Sequence, residues 1–259
     1  MSAAAFSPRV AIAARTPRPQ LFSTSRCSAP GIVRSRQNRR YASSAATTSA
    51  PADHEALLST SRANGEPRTP LSEEQKEFLD SALRVNQAGE LAAVLIYLSQ
   101  TPPIIKAHPK LRPLMKHMLE QEEGHFHKFN HLIAKHRIRP TAMYPVWKAA
   151  ATILGWGTGV MGREAAMACT EAVETEIGSH YNEQVAKLLE WEKQLKARGE
   201  QLSPDLQVLL QDLRRIRDEE LEHLDHAVDN DAKEARPYEV LTNVIRGGCR
   251  AAIWVSEKV

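Results

Sequence analysis

"LRRIRDEELEHLDHA", residues 213–227, puts a carboxylate and an imidazole where the flanking residues call for a buried apolar face. Counting through it in steps of three and four gives Leu206, Leu209, Leu213, Ile216, Glu220, His223 and Ala227, one helical stripe that changes from leucine to ligand-type chemistry. Burying such groups unpaired costs several kcal/mol, so other parts of the chain must compensate them.

The same interruption recurs in three more predicted helices. Ser72 with Gln75 makes a capping box, and helical periodicity then runs until Pro102 and Pro103, which are expected to stop it. A second helix starts near Pro109 to Pro113 and reaches about Arg137, and a third, oily one covers 145–161. The fourth runs from about Arg163 to Ala197 with Gly199 as its C-cap, and the fifth opens at Ser203 and Pro204 and reaches about Glu234. Pro237 opens a sixth. No segment alternates as a strand would, so the fold class is all-α. The four long helices, roughly 28–35 residues each or ~40–50 Å at 1.5 Å per residue, suit a four-helix bundle with two additional hydrophobic helices.

The first seam reads Leu79, Leu83, Asn86, Glu90, Ala93, Tyr97, and the second Met115, Met118, Glu122, His125, Phe129, Leu132. The fourth helix contributes Met167, Thr170, Glu174, Ile177, Tyr181, Val185. Glu-x-x-His alone is a weak signal, but here it occurs twice in register, in the order Glu, ExxH, Glu, ExxH, as if one helical hairpin were repeated. An i, i+3 pair points both side chains one way, so Glu122 with His125 and Glu220 with His223 can each grip one ion. With Glu90 and Glu174 they form a ferritin-like dinuclear carboxylate set. Four carboxylates and two neutral imidazoles balance two divalent ions in a low-dielectric core, and the sulfur-free donor set suits iron or manganese. His117, His127, His131 and His136 fall off this register and are expected in solvent. Glu123, Glu171, Glu176, Glu219 and Glu222 are expected to face outward or to stand behind the ligands.

Composition fits one sizeable globular domain with a tail: 259 residues, 42% hydrophobic and 25% charged. The net charge of +3 is unevenly spread. Residues 1–50 hold eight arginines, nine serines and no acid, the composition of a mitochondrial transit peptide, with a processing zone at Arg40, Tyr41 and Ala42. Subtracting those eight from 34 basic residues leaves 26 against 31 acidic ones, near −5, which does not support a nucleic-acid partner. Residues 51–70 read as a Ser/Ala/Pro linker and 71–259 as the folded domain. Cys27 goes with the leader, while Cys169 and Cys249 read as buried thiols of a reducing compartment. The oily stretches 144–162 and 238–255 fall short of the ~18 uninterrupted apolar residues a span needs and read as core or interfacial helices.

The stretches "RVNQAGELAA" (84–93), "EQEEGHFHKFN" (120–130), "RPTAMYPVW" (139–147), "GREAAMACTEAVETEIGSHYN" (162–182), "RDEELEHLDHA" (217–227) and "GGCRAAIWVSE" (247–257) together resemble the demethoxyubiquinone hydroxylase family of coenzyme Q biosynthesis. That resemblance implies a di-iron monooxygenase that hydroxylates the ring of a polyprenyl benzoquinol, with O₂ as co-substrate and NADH or a quinol as reductant. It implies Glu90, Glu122, His125, Glu174, Glu220 and His223 as iron ligands, and His180 with Tyr181 as the pair linked to reductant use. Two departures stand out: Asn86 replaces the family's usual Asp, and "EWEKQLKARGEQLSPD" (190–205) looks like a surface insertion. A peripheral position on the matrix side of the inner mitochondrial membrane is expected, with a lipid-presenting protein and other enzymes of the biosynthetic complex as partners, and a homo-oligomer is compatible with the sequence. The competing readings are a ferritin- or rubrerythrin-like ferroxidase and a non-catalytic quinone-binding scaffold.

Overall fold

The computed structural model describes residues 71–259; the expected leader, processing zone and linker lie outside the described residues. The described residues form six α-helices and two short 3₁₀ turns, with no strand among them. We label the helices α1 (Glu73–Ala107), α2 (Arg112–His136), α3 (Tyr144–Met161), α4 (Arg163–Lys196), α5 (Pro204–Asp229) and α6 (Tyr238–Lys258).

Local chemistry sets most of the ends. Ser72 and Gln75 form the expected capping box at the start of α1, and the Ser203 hydroxyl accepts from the Leu206 N–H at the start of α5. Arg137 in the left-handed region closes α2, and Gly199 at φ +76° turns the chain after α4.

Two expected ends are wrong. Pro102 and Pro103 do not stop α1, which continues to Ala107. Each proline in a helix interior costs about 3 kcal/mol. Against that, Tyr97, Gln100 and Ile104 are all buried on one stripe, and Gln100 donates to Thr158 of α3 at 2.9 Å, so tertiary packing keeps the helix going. Conversely α5 stops at Asp229 rather than Glu234, because Asp231 takes a left-handed backbone and the chain re-enters as a 3₁₀ turn over Ala232–Glu234.

Two apolar clusters are each drawn from α1, α2, α4 and α5. One is built around Leu83, Phe129, Leu188 and Leu213; the other holds Tyr97, Met115, Met167 and Ala227. A full burial of such a side chain stabilises by about 1.5–3 kcal/mol. The stretch 190–205 is not confined to the surface: Trp191 and Leu202 pack into the first cluster, with the Trp191 ring edge-on to Phe78 at 5.1 Å. Large apolar side chains flanking a helix end are driven into the nearest core whatever the charge of their neighbours.

α3 and α6 add a third cluster with Ile96 of α1 and Ala172 and Val173 of α4. α3 reaches α1 nearly backbone to backbone: a Cβ on Gly155 would lie 2.5 Å from the Ile96 carbonyl oxygen. α6 is tied to α4 through Glu176, which accepts from Arg246 at 2.6 Å and pairs with Arg250 at 3.0 Å. Glu171 likewise pairs with Lys233 and accepts from the Tyr238 hydroxyl at 3.0 Å. Glu171 and Glu176 are therefore buried braces, neither outward-facing nor behind the ligand-type residues, because cationic partners from the chain's C-terminal part cover them. No helix of the described residues is long and apolar enough to cross a membrane.

Candidate metal centre

Between the two apolar clusters lies a charged one. Glu90 of α1, Glu122 and His125 of α2, Glu174 of α4, and Glu220 and His223 of α5 are all at most 2% exposed. Each sits where an apolar stripe would otherwise continue, so the packing above and below forces it inward. Two groups of atoms converge, each within 4.8 Å: Glu90, Glu122, His125 and Glu220 in one, and Glu122, Glu174, Glu220 and His223 in the other. Glu122 and Glu220 belong to both.

Outer partners fix how the two imidazoles present themselves. His125 Nε2 lies 2.6 Å from Glu219 Oε2, and Arg215 holds that carboxylate at 2.9 Å. His223 Nε2 lies 3.0 Å from Gln121 Oε1. A carboxylate and an amide oxygen only accept, so each Nε2 carries a proton, and Nδ1 is the nitrogen left facing inward, able to ligate once its own proton has gone. His125 Nδ1 is 3.0 Å from Glu220 Oε1 and 3.5 Å from Glu90 Oε2, and His223 Nδ1 is 2.9 Å from Glu122 Oε1.

Two tyrosines complete the frame. Tyr97, seven residues after Glu90, donates to Glu174 Oε1 at 3.0 Å, and Tyr181, seven residues after Glu174, donates to Glu90 Oε1. Each hairpin thus steadies the other's glutamate. Burial, followed by the surrounding carboxylates, pushes both phenols well above their ordinary pKa, so they stay protonated donors.

Eight atoms of these six residues are buried with no hydrogen-bond partner: one oxygen each of Glu90 and Glu174, both oxygens of Glu122 and Glu220, and the two Nδ1. Native interiors carry few such groups and seldom gather so many in one place. Their proximity without hydrogen-bond geometry means that they point at shared positions between them, which is the fit expected of carboxylate–imidazole ligands to cations.

Titration tells the same story. Burial first, then Glu220 and Glu122, raises the Glu174 carboxyl well above the usual range. Burial alone would depress the imidazoles, but the carboxylates packed against them outweigh it, lifting His125 well above its ordinary value and His223 to about 11. Protons here neutralise a crowded anionic core, and cations would do so in their place.

Beside the cluster, an apolar cavity of about 380 Å³ opens between α1, α3, α4 and α6. Val85, Gly89, Leu154, Ile177 and Ile253 are among its walls, and Tyr181 and His180 line it together. Tyr181 is thus common to the cavity and the cluster. Burial lowers the His180 pKa, and its Nε2 has no hydrogen-bond partner. Asn86, also on the wall, exchanges two hydrogen bonds with Gln184, at 2.9 and 2.8 Å. An amide pair across α1 and α4 therefore stands where an Asp would have carried charge.

Sequence periodicity put the six residues on the apolar seams of four helices, and the structure brings them together. It missed the roles of Tyr97 and Gln121. Tyr97 had a signal, since its spacing from Glu90 repeats that of Tyr181 from Glu174. Gln121 had none, being adjacent in sequence to Glu122 and meeting His223 only across the helix pair. Glu219 does stand behind His125. His117, His127 and His131 are exposed as expected, whereas His136 is half-buried. Cys169 is buried and Cys249 half-buried; burial pushes both thiols to about 12.

A helical core that converges four carboxylates and two imidazoles fits the class of proteins with a metal site in their interior. Comparison with known proteins narrows this. Residues 77–256 match the family described as ubiquinone biosynthesis protein COQ7, and the chain belongs to that family. It is 44% identical over 190 residues to the "5-demethoxyubiquinone hydroxylase, mitochondrial" of Saccharomyces cerevisiae, covering 73% of this chain and 82% of that one. It is 40% identical over 184 residues to the "NADPH-dependent 3-demethoxyubiquinone 3-hydroxylase, mitochondrial" of Bos taurus, covering 71% and 79%. A bacterial relative, the "3-demethoxyubiquinol 3-hydroxylase" of Rhodospirillum rubrum, is 38% identical over 208 residues, covering 80% and 91%.

Proposed function

We propose that this chain carries out the reaction its relatives are named for, hydroxylating the ring of a demethoxyubiquinol in ubiquinone biosynthesis, with O₂ as co-substrate and a nicotinamide or a quinol as reductant. The observation that carries this reading is the juxtaposition of the buried six-residue cluster with an apolar cavity of about 380 Å³, Tyr181 lining the cavity and donating to Glu90 of the cluster. A ferroxidase has no use for such a cavity, and a quinone-binding scaffold has no use for the cluster.

In this reading α1, α2, α4 and α5 are a ferritin-like four-helix bundle, and α3 and α6 are added to it to build the cavity. Glu90, Glu122, His125 and Glu220 would hold one iron ion and Glu122, Glu174, Glu220 and His223 a second. Bound iron supplies the activation of O₂ that the protein's own groups cannot. The chain's residues do the rest. Tyr181 and Tyr97 each occupy one oxygen of a terminal glutamate, leaving the other free to ligate, while Glu219 and Gln121 keep the Nε2 protons in place. The cavity excludes water and holds the ring against Tyr181, and neutral His180 offers its free Nε2 to a quinol hydroxyl proton.

Residues 1–50 serve as a mitochondrial leader and 51–70 as a linker, leaving 71–259 as the working domain, peripheral on the matrix face of the inner membrane. The exposed side chains of Ile153, Trp156 and Trp254, more than 60% exposed, support docking on that surface. A lipid-presenting protein, other enzymes of the pathway and a second copy of the chain are the partners such a surface suits. The test is turnover of demethoxyubiquinol by purified iron-loaded protein under ¹⁸O₂, with one labelled oxygen expected in the product. Iron oxidation without labelled product would replace this reading with the ferroxidase one. Ile153→Glu with Trp156→Glu is expected to keep the iron but to lose liposome binding and activity on long-tailed quinols; unchanged activity there removes the docking claim.

A further inference from the structure

α2 and α5 run antiparallel, and their facing residues form a ladder. His125 meets Glu219, Gln121 meets His223, and one turn further out His117 meets His226, their rings 6.5 Å apart at 75°. The first two rungs are the outer supports of the buried cluster. The third is exposed at His117 and half-buried at His226, and neither side chain contributes to the core.

At that outer rung a third donor joins. Glu222, one turn before His226 on α5, places Oε1 3.5 Å from His226 Nε2, and potential ligand atoms of His117, Glu222 and His226 all lie within 4.8 Å of one another. An i, i+4 pair on one helix with a histidine from the facing helix can close on a single ion with small rotamer changes. Among the described residues no lysine or arginine pairs with Glu222, so its charge is not already used. Two imidazole nitrogens and one carboxylate suit divalent iron, cobalt, nickel or zinc; magnesium and calcium prefer oxygen alone, and monovalent copper prefers sulfur. With three protein ligands on an exposed rung, water fills the remaining positions and the ion exchanges with solvent.

We propose that His117, Glu222 and His226 bind a divalent first-row transition-metal ion at the protein surface, one rung outside the buried cluster. The site is separate from the six buried residues and its occupancy does not depend on which ions they hold.

Equilibrium dialysis of the full-length, iron-loaded protein against Co²⁺ tests it, with cobalt and iron counted by elemental analysis. The parent is expected to hold one more cobalt per chain than the His117→Ala, His226→Ala double variant, at equal iron content, with a ligand-field absorption band that the variant lacks. Alanine is a good helix former, so the variant's helical circular dichroism should match the parent's. Glu222→Gln, which keeps the size of the side chain, is expected to weaken cobalt binding at least tenfold and supplies the readout if the double variant folds poorly. Equal cobalt in parent and variants overturns the proposal. Loss of buried iron with no separate surface cobalt overturns it as well, and would not bear on the hydroxylase reading.

Discussion

The interior holds two neighbouring regions of opposite character that meet at Tyr181. The cavity is lined mainly by apolar residues that favour burial in their own right, so its walls stand without a ligand. The cluster is lined by residues that resist burial, and its eight unpartnered atoms persist only because the apolar layers on either side hold them there. One region is shaped by the hydrophobic effect and the other is imposed by it. Tyr181 belongs to both, lining the cavity and donating its hydroxyl to Glu90.

The sharpest way to break this contrast is to remove a shared carboxylate. Glu220→Ala is expected to abolish hydroxylation, by roughly a hundredfold or more, and to lose metal on dialysis. Its circular dichroism should stay helical, because one fewer acid also relieves repulsion in the metal-free core. Full turnover by the purified variant would sink the ligand assignment.

Filling the cavity should do the reverse. Ala252→Phe projects into that space and is expected to lower turnover of a long-tailed quinol about tenfold while iron content is unchanged; overpacking is tolerable at about 1–3 kcal/mol. Iron loss in this variant would show that the two regions are not separable.

A smaller effect separates the two faces of α3. Gly155→Ala puts a methyl against the Ile96 backbone and is expected to cost about 1–3 kcal/mol in denaturant unfolding. Gly157→Ala, with nothing within 4 Å, should instead gain up to about 1 kcal/mol from helix propensity. Equal shifts would contradict the close α1–α3 contact.

The pH response is the mildest test. In metal-free protein the raised His223 pKa stabilises the fold fully below its ordinary 6.5 and loses that contribution as pH rises through about 11. The raised Glu174 acts in the same direction, since ionising it is costlier folded than unfolded. Chelator-treated protein should therefore melt at lower temperature at about pH 9 than at about pH 6.5, whereas metal affinity should rise over that window as the competing protons leave. A rising melting temperature for the metal-free form would contradict the account of the core.

Periodicity alone determined that the chain is helical and that Glu90, Glu122, His125, Glu174, Glu220 and His223 fall on buried seams, because a helix repeats every 3.6 residues and a seam is legible within one segment. The repeated spacing of Glu90 to Tyr97 and Glu174 to Tyr181 was equally written there. Only the tertiary structure decided that the two tyrosines cross over to each other's glutamate, that Gln121 supports His223, and that the Asn86–Gln184 amide pair borders the cavity. It also carried α1 through Pro102 and Pro103 and drew Trp191 into the core. Each of these depends on which residue of another helix stands opposite. That register is set by how whole helices pack, with the Gly155 contact of α3 on α1 as one of its fixed points, and no single segment encodes it.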